Sequence, residues 1–176
     1  MGPSGAGKDA VLRFARDNLP PGLKVAFAHR YITRPATADG ENHVALTAAE
    51  FEARRAAGLF AFDWRAHDVA YGIGIEIESW RRAGFVVVIS GSREHFLGLR
   101  RDDLDIRPVL ITAAPAIVER RLIARGREDA ESVAERLQRG AAYDAAGPGV
   151  LVIDNSGPLP EAGSRLVDVL SGLCNP

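Results

Sequence analysis

The segment Gly2-Pro3-Ser4-Gly5-Ala6-Gly7-Lys8 fits the spacing G-x-x-x-x-G-K, and the residues after it, "DAVLRFARDNL", place apolar side chains at helical intervals. No other feature limits the folds open to this chain so strongly. The glycines let main-chain N–H groups turn inward around a polyphosphate. The helix that follows points its positive end at the same anion, and the Lys8 ammonium reaches the β- and γ-phosphates as a mobile charge. A glycine-rich turn before a helix is common. The full spacing joined directly to a helical pattern is not, which favours a nucleotide-phosphate loop spanning Gly2, Pro3, Ser4, Gly5, Ala6, Gly7 and Lys8. Asp9 follows, where such loops carry Ser or Thr. Its carboxylate is a hard oxygen ligand suited to Mg²⁺, directly or through water; the competing role is a cap on the helix N-terminus. A loop of this kind is normally strung between a strand and a helix. Here Met1 stands where the strand would end, so the first strand is expected to be missing and the natural start to lie upstream.

Downstream, strand and helix patterns alternate. "KVAFAHRYI" predicts one strand and "TRPATADGEN" a turn-rich segment. "LTAAEFEARRAAG" predicts a helix capped by Thr47, with Glu50 as capping-box partner and Gly58 as its stop. "LFAFDWRAH" and "VAYGIGI" read as extended, "EIESWRRAG" as a short helix, and "FVVVIS" as a strand covered on both faces. "REHFLGLRR" is helical, "IRPVLITA" a strand, and "PAIVERRLIARG" a helix with Pro115 in its first turn. A helix in "DAESVAERLQRGAAYD", a strand in "GVLVID" and a last helix in "LPEAGSRLVDVLSGL" complete the chain. The alternation argues for an α/β fold with a parallel sheet flanked by helices.

The 22 basic and 23 acidic residues nearly cancel. Net charge therefore suggests neither a nucleic-acid nor a membrane partner, and an anion site has to be a local cluster of Arg and Lys. One cysteine, Cys174, forms no intramolecular disulfide and suits the cytoplasm. No apolar run approaches a membrane span, and no signal peptide is expected. The four histidines show no metal-ligand spacing.

"GPSGAGKD", "RYITRP", "FDWRAHDVAYG", "RLIARGRED" and "ERLQR" resemble the guanylate kinase superfamily in order and spacing. Lys-Asp in the loop, "HRYITRP", "ENH", "YGIGIEI" and "GSR" make the chain more similar to its ribose 1,5-bisphosphate phosphokinase branch. The resemblance runs from Gly2 almost to the end. It implies a single P-loop kinase domain over 1–176, with a core at 1–31 and 84–176, an acceptor-binding region at about 32–83 and a lid at about 125–136. It also implies transfer of the γ-phosphoryl of ATP, with Mg²⁺, to ribose 1,5-bisphosphate in phosphonate breakdown, giving 5-phosphoribosyl 1-diphosphate. The partner is then a small molecule, and the protein a monomer or homodimer. A guanylate kinase or other nucleoside monophosphate kinase is one alternative; an inactive guanylate-kinase-like binding module is another.

By the same resemblance, Arg34 of "TRP" and Tyr71 of "YG" bind the acceptor phosphate, with Arg30, Glu41 and Asp63 as further substrate-binding candidates. The family carries Ser or Thr after "YG", where this chain has Ile73, and an acidic residue at the end of the strand equivalent to "FVVVIS", where this chain continues Ser90-Gly91-Ser92-Arg93. A pocket that reads a base by hydrogen bonds loses heavily without those partners. Ser92 and Arg93 suit a sugar hydroxyl and a second phosphate, or else a helix cap and a surface charge. Glu41, Asn42 and His43 form a polar loop group that suits ribose hydroxyls or plain solvent, and His67 and Asp68 have no clear role. Arg121 and Arg125 lie four apart on one helical face. The lid resemblance makes Arg121 and Arg125 nucleotide-binding, and Arg125 and Arg136 catalytic beside Lys8, against the plain alternative of a solvated amphipathic helix.

Overall fold

A computed structural model describes residues 1–3, 5–35, 43–66, 68–91, 105–125 and 149–174, with the Arg125 side chain excluded. Among these the elements run α1 (Lys8–Asn18), β1 (Val25–Phe27), β2 (Arg30–Ile32), β3 (His43–Ala45), α2 (Ala48–Ala56), β4 (Phe60–Ala66), β5 (Val69–Gly74), α3 (Glu76–Arg82), β6 (Val86–Val88), β7 (Val109–Thr112), α4 (Pro115–Arg125), β8 (Leu151–Asp154) and α5 (Leu159–Cys174). The chain divides into two compact units, Met1–Asn18 with Gly91–Asp168 and Leu19–Ser90 with Val169–Pro176. The helices expected in "REHFLGLRR" and "DAESVAERLQRGAAYD", and the lid beyond Arg125, lie outside the described residues.

In the first unit, β7 and β8 pair in parallel, from Val109 opposite Leu151 to Thr112 opposite Asp154. Leu110, Ile111 and Ile153 are buried. α1 turns Val11 and Ala15, one helical turn apart, fully inward; burying a valine stabilises by roughly 2 kcal/mol. α4 opens on Pro115 as expected and buries Val118 and Leu122 against Ala113. Met1 donates its terminal amino group to Val109 O (2.8 Å) and accepts from the Ile111 N–H (2.9 Å). That is the bonding of one rung of a parallel ladder. No strand precedes the loop among the described residues.

The second unit holds two sheets. β1 and β6 form a parallel pair, and β3-β2-β5-β4 a four-stranded sheet, parallel at β2–β3 and antiparallel elsewhere. Three sequence expectations change here. "KVAFAHRYI" is two strands: Ala28 N–H still bonds Val88 O (2.9 Å), but from Arg30 the chain pairs with β3 and β5. A change of partner leaves no mark on apolar periodicity. His43, expected in a loop, opens β3 opposite Arg30. Val86–Val88 are half-buried rather than covered on both faces, and among the described residues β6 has one ladder partner, β1. α2 meets its expectation. Thr47 accepts from the Glu50 N–H (3.1 Å), and the helix stops before Gly58, which is left-handed (φ +69°). The reciprocal half of the capping box is replaced, since the Glu50 carboxylate accepts from Arg54 Nε (2.7 Å). Among the described residues no helix is long and apolar enough to cross a membrane.

Candidate active site

The glycine loop wraps from Met1 on β7 into the first turn of α1. Gly7 is left-handed (φ +84°), and a side chain there would strike the Asn155 amide; one at Gly2 (φ +152°) would strike the Ile111 carbonyl. Only glycine fits both positions. Lys8 Nζ donates to Pro3 O (2.9 Å), so the ammonium lies across the ring of main chain it follows. Asp9 sits one residue inside α1, which leaves the cap position to Gly7 and the carboxylate beside the helix's positive end. The loop therefore has the features a polyphosphate needs: glycine-only backbone, a helix N-terminus and a half-buried cation. Mg²⁺ on nucleotide phosphates takes only one or two protein carboxylates, and Asp9 fits as one. Among the described residues there is no cluster of three or more His, Cys, Asp or Glu side chains that would hold a metal by itself. Ser4 and Arg136 lie outside the described residues, as does the Arg125 side chain.

Arg121, on α4, reaches the loop but spends two donors on main chain: Nη1 on Ala6 O (3.4 Å) and Nη2 on Asn155 O (2.9 Å). Asn155, which the sequence does not single out, is buried and donates Nδ2–H to Ala6 O (2.8 Å). Its place was the available signal. It directly follows β8, and ligands of parallel α/β sheets gather at the carboxyl ends of strands.

In the second unit, strand register sorts the acceptor candidates. Residues paired across strands share a face, and successive residues alternate. Arg30 is opposite His43 and Ile73, Ile32 opposite Tyr71, and Trp64 opposite Tyr71. Arg30, Tyr71 and Ile73 therefore share one face, with Trp64 stacked on Tyr71 (centroids 5.3 Å, planes 5° apart). Thr33 ties the end of β2 to β5 by two bonds with Ala70 (3.0 and 2.8 Å), and Arg34, half-buried with its Nε enclosed, follows in the bend beyond the strand. Asp63 pairs with Gly72 and alternates to the other face. That face carries Tyr31 and α2, with Arg54 over the Tyr31 ring (5.3 Å) and Arg65 bonded to Glu52 (2.5 Å). Strand register thus puts Arg30 and Tyr71 on one face of the sheet and Asp63 on the other. Ile73 is wholly buried, so no hydrogen-bonding group stands where the guanylate kinase pattern has Ser or Thr. The Ser90 hydroxyl is buried without a partner among the described residues; Glu41, Asn42, His67, Ser92 and Arg93 lie outside them. Tyr31 donates to Glu76 (3.3 Å), and burial, reinforced by the Glu76 charge, raises its phenol above the ordinary value of 10.0.

No protein-family model matches the chain. Curated proteins named ribose 1,5-bisphosphate phosphokinase PhnN do. That of Chromobacterium violaceum is 50% identical over 173 residues, covering 98% of this chain and 91% of its own. That of Desulfomicrobium baculatum is 48% identical over 170 residues, covering 97% and 91%. That of Laribacter hongkongensis is 49% identical over 175 residues and 99% of this chain, which spans only 42% of that longer protein. Among solved structures, the guanylate kinase of Anaplasma phagocytophilum superposes with a TM-score of 0.63 over 99% of this chain and 84% of its own; at 15% identity the likeness establishes the guanylate-kinase-like α/β fold. With about half of its residues shared across nearly the full length of such relatives, the chain belongs to the ribose 1,5-bisphosphate phosphokinase family.

Proposed function

We propose that this protein transfers the γ-phosphoryl group of ATP to the 1-phosphate of ribose 1,5-bisphosphate, giving ADP and 5-phosphoribosyl 1-diphosphate in phosphonate catabolism. The carrying observation is the glycine loop, whose left-handed Gly7 and overlying Lys8 suit a polyphosphate tail. In the transfer, the bond between the γ-phosphorus and the β,γ-bridging oxygen breaks, and one forms to an oxygen of the sugar's 1-phosphate. The acceptor oxygen is already anionic, so no strong general base is required. Catalysis rests on positioning and on stabilising spread negative charge. Loop N–H groups and Lys8 hold the β- and γ-phosphates, and Arg34, Arg30 and Tyr71 hold the acceptor, the arginines through charge-assisted bonds. Arg121 supports the loop first, since two of its donors are engaged by carbonyls. Arg125 and Arg136 supply lid cations. Mg²⁺, held with help from Asp9, neutralises phosphate charge when bound. The lone thiol, Cys174, agrees with a cytoplasmic enzyme.

The buried Ile73 disfavours guanine as the acceptor's recognition element. An ADP-release assay offering ribose 1,5-bisphosphate and GMP side by side tests the assignment. Turnover of the sugar bisphosphate is expected, and turnover of GMP alone overturns it. Calorimetry with Mg²⁺–ATP tests the inactive-module alternative, which predicts no heat of binding.

A further inference from the structure

Asn155 is the buried polar side chain among the described residues, at 2% exposure. Its main-chain N–H donates to Thr112 O (2.8 Å), fixing its backbone at the end of the β7–β8 ladder. Its side-chain amide leaves the ladder and donates to Ala6 O in the glycine loop (2.8 Å). The amide's Oδ1 is buried and has no partner among the described residues. A leucine of similar size would avoid that unfavourable state. The fold keeps the amide where its other end grips the loop. Arg121 Nη1 converges on the same Ala6 carbonyl (3.4 Å) while its Nη2 holds Asn155 O (2.9 Å). The C=O of one residue and the N–H of the next point in opposite directions across a trans peptide. Tying Ala6 O back toward Asn155 and Arg121 therefore turns the Gly7 N–H the other way.

We propose that Asn155 is a positioning residue for phosphoryl transfer: by anchoring the Ala6 carbonyl, it aims the Gly7 N–H at the nucleotide phosphates. This rests on the reading of Gly2–Lys8 as an ATP site. The test compares wild type with Asn155→Leu, which fills the space without polar atoms, and Asn155→Ala. Melting temperature, Mg²⁺–ADP affinity by calorimetry, and KM for ATP and for ribose 1,5-bisphosphate are measured. The ADP Kd and the ATP KM should rise about 10-fold, as for a lost phosphate hydrogen bond. The sugar KM should stay within about 2-fold, and the leucine variant should melt near wild type. Unchanged nucleotide affinity in a folded variant overturns the proposal. A proportional loss of both substrates does so too, as does failure of both variants to fold, since Asn155 would then serve the scaffold alone. Absence of Mg²⁺–ADP binding by wild type instead refutes the ATP site itself.

Discussion

The two units make their candidate sites from different materials. In the first, the candidate binding groups belong to the main chain of a glycine loop, and the side chains of Asn155 and Arg121 bond to that backbone. In the second, the candidate binding groups are side chains, and strand register decides which of them share a face. The loop consequently tolerates few residue types at Gly2 and Gly7 but depends on few side chains. The sheet depends instead on which face each residue takes.

That contrast predicts a ranking of substitutions. Lys8→Ala should lower kcat about 10³-fold with little change in melting temperature, because a charge aimed at the transferring group is lost; a loss below 10-fold would detach Lys8 from the loop's function. Arg34→Ala should raise the KM for the sugar bisphosphate about 10- to 100-fold and leave that for ATP nearly unchanged. The reverse pattern would move Arg34 to the nucleotide side. Asp63→Asn should change kcat/KM by less than about 2-fold, as expected of a substitution away from the site; a large rise in the sugar KM would show that register misassigns its face. The smallest effect belongs to Tyr31→Phe. The folded protein holds the Tyr31 proton more tightly than the unfolded chain, so this contribution is present below pH 10.0 and is lost as pH climbs through the folded-state value. Urea melts should therefore show a steeper alkaline loss of stability for wild type than for Tyr31→Phe, and identical slopes would contradict the raised phenol.

The same contrast explains what was legible in the sequence. The turn of the glycine loop could be read because its glycines lie within seven consecutive residues. The α2 cap could be read because Thr47 and Glu50 meet within one turn. The switch of "KVAFAHRYI" between two sheets could not, since it depends on β6 and β5, which arrive much later in the chain. Asp63 entered the candidates through the family resemblance alone, and its face could not be read in advance, because neighbouring residues of a strand point opposite ways and the register with β5 sets which way. Asn155 stayed hidden for the same reason at longer range, because its partner Ala6 lies 149 residues away.

The near-coplanar stack of Trp64 on Tyr71 gives the second unit an optical consequence. The chain has two tryptophans, and the second, Trp80, stands on α3. Light absorbed by Tyr71 passes efficiently to an indole in ring contact, so Trp64 emission reports the phenol's placement. Titrating the sugar bisphosphate into unlabelled protein should shift that emission, and Trp64→Phe should silence the signal while Trp80→Phe preserves it.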